Sequence, residues 1–484
     1  MSQSIKKNYF FNLVSTLAGI LFPLITFPYA SRIMEADGIG QVGFFNSIIS
    51  YITLFTSLGI PIYAIREIAR VRDNSEEMNR TAVEILLLHT VLTFVGYVVV
   101  AILCITVAKI SLNIPLFLIL SLSIFFNAIG CEWFYKGIED FKYITIRGLI
   151  VRVLYVILLF SFVHSKSDLL IYAALTVFGT VGNNIFNFLR IRKYISLRNN
   201  IFKDIRVSRH VFPAIRIFAL NLVISLYVNL DTVMVGFLSN DRSVGYFEGA
   251  TRITKLALSV VQALQTAMIP RFSYLAQNEY KKEFDDLCQK VVDFVVTLSI
   301  PLSFGIYILA PSLISLFCGN SFTPAITTME IISPIIVLIS LSGVACFQIL
   351  YPLGKENIAI WSTGTGAIFN FVACIIFVPL LAHNGAAIAT VIGESIVTLT
   401  MFLYGRKYIH IHYIDIHYLN CIIGGLVMFI FIYMIRLLNF GDVVNIFLIP
   451  TLGSIVYGGY LYIVKDNFGL CLLSSVKSKI NRFI

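Results

Sequence analysis

The sequence predicts an all-α polytopic membrane protein of about fourteen transmembrane helices, two six-helix bundles related by a parallel repeat plus two C-terminal helices. Three observations carry that reading. Apolar residues make up 58% of the 484-residue chain and charged residues 13%, with a mean hydropathy of +0.86, whereas soluble domains carry about a quarter charged residues. The apolar residues gather into runs of roughly twenty, the length that crosses about 30 Å of hydrocarbon as a helix. The basic residues fall in alternate loops between those runs.

The predicted spans follow in order. Residues 9–31 come after Lys6 and Lys7 and are too long for a cleaved signal core, so they read as a retained first helix. Its polar face holds Asn12, Ser15, Gly19, Pro23 and Thr26, and it closes at Arg32. Span 39–63 carries Asn46, Ser50 and Thr53 and leads to Arg66. Span 83–108 contains His89, read as a packed polar residue, and 114–135 ends in Cys131-Glu132-Trp133. Span 145–163 holds Arg152, read as about one turn inside the membrane and placed to snorkel to the cytoplasmic interface. Span 168–189 completes the first bundle, and a basic linker brings that region to residue 210. The second bundle, 211–405, begins with 213–237, which carries Asn221, Ser225, Asn229, Asp231 and Thr232. Span 245–269 follows, and then 290–317, where Pro301 and Pro311 predict a kink or tilt. Spans 326–351, 358–381 and 385–404 complete it, the last with Glu394. Spans 418–438 and 443–464 and a basic tail fill 406–484.

Loop charge tests the count. With the N-terminus inside, the inside segments hold Lys6 and Lys7, the Arg66–Arg80 and Lys136–Arg147 clusters, the basic stretch from Arg190 to Arg209, and the tail; only Arg32, Lys109, Lys166, Arg242 and Arg436 lie outside. A missed or extra span would invert the alternation downstream, so both ends are expected in the cytoplasm. Because the basic residues sit in short loops, the net charge of +10 speaks for membrane orientation and not for nucleic acid.

The most informative segment is Gly245–Pro270. Glu248, Arg252, Lys255, Ser259, Gln262 and Thr266 step by fours and threes, which places all six on one helical face among Leu, Val, Ala, Ile and Phe. Charge facing lipid is costly, so the stripe should line a water-filled or protein-filled interior. The same pattern occurs earlier. Val42-Gly43-Phe44-Phe45 returns as Val244-Gly245-Tyr246-Phe247, an offset of 202 residues that carries Asn46 to Glu248, Ser50 to Arg252, Thr53 to Lys255 and Ser57 to Ser259. The copies are the second and eighth spans, an even six apart, so they share one orientation, as in a parallel transporter repeat. For the faces of the first and seventh spans, helix packing and cavity lining are equal readings.

The residues bound the chemistry. Arg252 and Lys255 form a candidate cationic site for an anionic head group, since the guanidinium fork binds two phosphate oxygens, with Glu248 tuning it or pairing within the helix. Asp231, Glu132 and Glu394 are candidates for coupling to H+ or Na+, or for structural ion pairs. Arg32, Arg66 and Arg152 could contact head groups or gate; interfacial anchoring is the plain alternative. His410, His412 and His417 with Asp415 suggest metal, but Tyr408, Tyr413 and Tyr418 among them fit an aromatic belt better. The eight cysteines form no CxxC and mostly lie in apolar runs, so they read as buried small residues. Gly354-Lys355-Glu356 lacks the glycine and hydroxyl of a Walker A loop. No cofactor and no catalytic group are expected.

Several segments together resemble the polysaccharide transporter family, the Wzx-type flippases of the superfamily that also holds multidrug and toxic compound extruders and lipid II flippases. They are Pro28-Tyr29-Ala30-Ser31-Arg32 with Asp37-Gly38-Ile39-Gly40, Arg66-Glu67-Ile68-Ala69-Arg70, Glu132-Trp133-Phe134-Tyr135-Lys136-Gly137, Asp231-Thr232-Val233-Met234-Val235-Gly236, Ala250-Thr251-Arg252-Ile253 and Ile269-Pro270-Arg271. The resemblance spans about the whole chain. It implies two bundles working by alternating access and moving an undecaprenyl-pyrophosphate-linked oligosaccharide from the cytoplasmic to the periplasmic leaflet of a bacterial inner membrane. It places Arg252 where related flippases keep a cavity arginine. The implied partners are that lipid-linked substrate, membrane lipids, a coupling ion, and polysaccharide polymerase and assembly proteins. The rivals are a cation-coupled small-molecule exporter, whose cavity should be acidic or aromatic, and a membrane polysaccharide polymerase, which needs a large outside loop.

Overall fold

The computed structural model describes residues 5–195, 205–278, 280–409, 415–437, 440–466 and 468, with the side chains of 5–10, 12, 13, 20, 219–221 and 223–226 outside that description. Among the described residues the regular structure is helical throughout, and contacts gather into two compact units, residues 1–229 and 230–484.

Unit 1 contains α1 (Ile5–Ser57), α2 (Ile60–Val71), α3 (Ser75–Thr106), α4 (Ala108–Ser111), α5 (Ile114–Ile129), α6 (Glu132–Gly137), α7 (Phe141–Phe162), α8 (Leu169–Ile191) and the first part of α9 (Ser208–Leu238). The first two predicted spans follow one another directly in α1 and are separated at Glu35, whose φ of 52° leaves the helical region and divides the run into two helices. Lys166 holds the Glu35 carboxylate at 2.6 Å. The run ends where Leu58 and Gly59 both take positive φ, 42° and 71°. A β-carbon on Gly59 would stand 2.7 Å from the Ala214 carbonyl oxygen, so the chain turns there only because the residue is glycine. α1 packs on α3, α5 and α7, and α5 packs on α8. At one end Ile60, Tyr63, Ile68, Met78, Ile85, Trp133, Phe134 and Tyr135 form a tight apolar core.

Unit 2 contains the end of α9, then α10 (Asp241–Gln277), α11 (Lys281–Cys318), α12 (Ala325–Ile332), α13 (Ile335–Gly343), α14 (Glu356–Leu381), α15 (His383–Gly405), α16 (Ile416–Arg436) and α17 (Asp442–Ile463). α11 runs unbroken through Pro301 and Pro311. The predicted 326–351 span is instead α12, α13 and a π-helical turn over Val344–Leu350. α14 and α15 pair intimately: a β-carbon on Gly366 would stand 2.9 Å from the Gly393 carbonyl oxygen. Small residues allow such approach where lipid supplies no hydrophobic drive between helices. α16 and α17 pack on α11 within this unit.

Eleven helical segments among the described residues are long and apolar enough to cross a membrane, one of them the bent 14–71 run that holds two predicted spans. α10 stays outside that set because its polar stripe lowers its hydropathy. Large apolar side chains such as Phe94, Ile105 and Trp361 face outward, as a bilayer-embedded surface requires.

Candidate functional site

α10 starts at a cap that its sequence supplies: the Asn240 side chain accepts from the Ser243 amide at 2.8 Å. From there Val244, Phe247, Thr251, Thr254, Leu258, Val261 and Gln265 form the buried face, which packs on α11, α12 and α13. The stripe lies roughly a quarter turn round the helix from it. Arg252, Lys255, Gln262 and Thr266 are exposed, and Glu248 and Ser259 are half-buried. Ser259 and Thr266 bond back to their own helix, to the Leu256 and Gln262 carbonyls. Glu248 Oε1 accepts from Thr232 Oγ1 at 3.2 Å, which turns the carboxylate toward α9. The stripe is therefore a face that the packing of unit 2 leaves uncovered, carrying two cations and one carboxylate on an otherwise apolar helix.

The first copy repeats this arrangement. Val42, Phe45, Ile49, Ile52 and Thr56 are buried, each 202 residues before a buried residue of α10, and Asn46, Ser50 and Thr53 are half-buried beside them. The Glu35 bend likewise falls within a few residues of the equivalent break between α9 and α10. Burial periodicity thus supports the repeat where four matched residues only suggested it.

Asp231, 8% exposed, is the second feature. Its Oδ1 accepts from Asn370 Nδ2 at 2.9 Å on α14, with the Cys374 thiol at 3.4 Å, and its Oδ2 accepts from Thr390 Oγ1 at 2.8 Å on α15. All three partners are neutral, and Asp231 makes no ion pair among the described residues; Lys255 contributes an attractive field from α10. A buried carboxylate ringed by neutral oxygen and amide groups can take up a proton or a hard cation.

The remaining sequence candidates go elsewhere. Asn12 and Asn221 have side chains outside the described residues; Asn229 is half-buried on α9. Arg32 is exposed. Arg66, exposed on α2, pairs with Glu67 at 3.1 Å. Arg152 is half-buried, and its Nη1 donates to the Ser15 carbonyl of α1 at 2.9 Å. Glu132 is tied to Lys136 at 2.8 Å and Arg147 at 3.2 Å, which favours a structural ion-pair role. Arg147 in turn bonds Asn187 Oδ1, locking α6 and α7 to α8. Glu394 is buried on α15. Of the histidine group, His410 and His412 lie outside the described residues, and no metal-holding cluster occurs among the described ones. His417 instead pairs with Asp466 at 2.9 Å. None of the described cysteines is in a disulfide, and Cys131, Cys288, Cys318, Cys374 and Cys421 are buried.

Two groups escaped the sequence reading. Asn370, Cys374 and Thr390 gave no signal, because single polar residues in apolar runs look alike until a fold aims them at one carboxylate. Glu84, fully buried on α3, accepts from the Arg206 amide at 2.8 Å, Arg209 Nη2 at 2.6 Å and His210 Nε2 at 2.7 Å. Burial pushes the His210 imidazole below its usual pKa against the pull of Glu84.

The sequence profile of the polysaccharide biosynthesis protein family matches residues 5–276, which runs from α1 to the end of α10 and includes both polar-faced copies. The chain belongs to that family. The MatE profile matches residues 217–376 as well. Among curated proteins, the family member named "Putative O-antigen transporter" from Escherichia coli (strain K12) is 23% identical over 84% of this chain and 97% of its own length. Its namesake from Shigella dysenteriae is 25% identical over 82% and 98%. Among solved structures, the lipid II flippase MurJ in an inward closed conformation superposes with a TM-score of 0.75 at 14% identity, covering 95% of this chain and 99% of that one. An inward-facing multidrug resistance MATE transporter gives 0.64 at 17% identity, covering 81% and 94%. At those identities the likeness establishes the fold alone, that of a multi-pass helical membrane protein.

Proposed function

We propose that this chain is a flippase that carries an undecaprenyl-pyrophosphate-linked oligosaccharide from the cytoplasmic to the periplasmic leaflet of a bacterial inner membrane by alternating access. The observation that carries the proposal is the uncovered stripe on α10. Arg252 and Lys255 supply two cations for a pyrophosphate, while Glu248, Ser259 and Gln262 and the neutral face of Asn46, Ser50 and Thr53 offer hydrogen bonds to sugars. Asn12, Asn221 and Asn229 are further proposed substrate contacts, and Arg32, Arg66 and Arg152 are proposed for head-group contact or gating. The prenyl tail stays in lipid. Asp231 is the proposed coupling site for H+ or Na+, with Glu394 and Glu132 behind it, since both oxygens of Asp231 are held by neutral donors. Both termini are cytoplasmic in this reading, and a polymerase consumes the product. The MatE match favours a small-molecule exporter as the second reading, but a cavity for organic cations has no use for two exposed cations.

The test is a deletion strain whose lipids are extracted and whose lipid-linked units are assayed for the face they occupy. Accumulation of a single repeat unit on the cytoplasmic face, relieved by the wild-type gene but not by Arg252→Ala at equal protein level, is the expected result. Normal arrival on the periplasmic face without polymerisation would replace the flippase reading with a polymerase one.

A further inference from the structure

Unit 1 carries a groove of about 430 Å³ between α7 and α8 that the transport reading does not use. Its walls are Ile146, Ile150, Phe186 and Leu189, between 41% and 57% exposed. Its polar edge holds Tyr143, Arg147, Arg190 and Lys193. The two sets are segregated along the helices: Lys193 lies seven residues beyond Phe186, about 10 Å along the α8 direction. A slot with a cationic mouth and an apolar floor matches a phosphate joined to a hydrocarbon chain.

The charge around the mouth is not neutralised. Glu132 pairs with Lys136 and Arg147, and Asp140 pairs with Arg190 at 2.8 Å. Two carboxylates thus face four cations once the exposed Lys193, which has no partner among the described residues, is included. The Arg190 guanidinium lies 3.8 Å over the Tyr143 ring, which fixes its plane beside the groove. Arg147 is only 5% exposed, yet its Nε–H finds no acceptor among the described residues.

We infer that this groove binds one anionic phospholipid, with its phosphate between Arg190 and Lys193 and the start of an acyl chain along Ile146, Ile150, Phe186 and Leu189. Basic pockets between membrane helices hold anionic head groups by this chemistry. An inorganic phosphate would leave the apolar walls uncovered. The inference stands on unit 1 alone and does not depend on what the protein transports.

The experiment uses the full chain, delipidated in mild detergent and read by native mass spectrometry with added phosphatidylglycerol or phosphatidylcholine. One phosphatidylglycerol is expected to remain bound in preference to phosphatidylcholine. Lys193→Gln should weaken it about fivefold, the effect of one basic residue near a membrane anion. Phe186→Ser should weaken it too. Lys282→Gln, an exposed cation of α11, should leave it unchanged. Equal retention of the two lipids, or an equal loss in Lys282→Gln, would overturn the site. Displacement by inorganic phosphate at the same concentration would make it a simple anion site. Displacement by undecaprenyl pyrophosphate at lower concentration would make the groove part of the substrate path; either result refutes the phospholipid assignment.

Discussion

Removing the Glu84 carboxylate should loosen unit 1 more than any surface change. The side chain is fully buried and gathers the Arg206 amide, Arg209 and His210, binding the start of α9 to α3. Glu84→Ala leaves a buried imidazole and a buried amide without their acceptor, and breaking a buried ion pair from one side costs about 3–5 kcal/mol. Arg209 remains 38% exposed, so water takes over part of its solvation, and the loss belongs at the low end, about 3 kcal/mol. For a unit the size of residues 1–229, each kcal/mol moves the melting temperature by about 2–4 °C, which gives about 6–12 °C. Glu84→Gln keeps the shape and one acceptor oxygen and should lose about half as much, since a hydrogen bond to a charged group is worth about 1.5–3 kcal/mol. The buried thiols, Cys131 in unit 1 among them, provide the assay: a dye that fluoresces on reacting with newly exposed thiols, followed on heating in detergent. If Glu84→Ala melts within a degree or two of the wild type, the cluster is not a latch and the argument from burial fails.

Two further predictions test other parts of the structure. Asp231→Asn should fold normally, because Asn370 can still donate to the one amide oxygen while the new amide nitrogen donates to the Thr390 hydroxyl, but should lose the dependence of transport on an ion gradient; a coupling of 1–3 kcal/mol corresponds to about a 5–150-fold effect, and an unchanged gradient dependence in reconstituted vesicles would remove Asp231 from coupling. His210 gives a pH signature. Its folded pKa lies below the ordinary value, so its contribution is complete above pH about 6.5 and is lost as pH falls through the window below it. The melting difference between wild type and His210→Asn should therefore shrink on acidification from pH 8 to 5, and a constant difference would show that His210 does not titrate in that window.

What the sequence disclosed, and what it withheld, follows from range. Hydrophobic length and loop charge are properties of consecutive residues, so all fourteen predicted runs fall on helices, including α10, whose hydropathy its stripe lowers. The stripe was legible for the same reason, since Glu248 to Thr266 is one helical face. The break at Glu35 was legible as well, since it falls between the first two predicted spans where Arg32, Glu35 and Asp37 interrupt the apolar run; the π-helical turn at Val344–Leu350 was not, because an unbroken apolar run has no residue that announces a local change of pitch. The surroundings that the sequence could not show are those whose partners lie far along the chain: Arg152 meets the Ser15 carbonyl 137 residues away. Asp231 was found, whereas Asn370 and Thr390, 139 and 159 residues away, could not be.

The repeat allows a sharper test of the stripe than deleting a charge. If Arg252 matters because it presents a cation on the uncovered face of α10, the cation should tolerate a shift along that face. Ser259 lies seven residues on, two turns and about 10 Å further, half-buried on the same stripe. Leu258, its neighbour, is 4% exposed and packs inward. Arg252→Ala combined with Ser259→Arg should thus recover part of the transport that Arg252→Ala loses, with the protein at normal level. Arg252→Ala combined with Leu258→Arg buries an unpaired charge, which costs several kcal/mol, and should fail through loss of folded protein. Complementation of a deletion strain, scored for surface polysaccharide beside the amount of folded protein, separates the two failures. No recovery from Ser259→Arg in well-folded protein would mean that Arg252 acts through a fixed partner and that the stripe as a whole is not the binding surface.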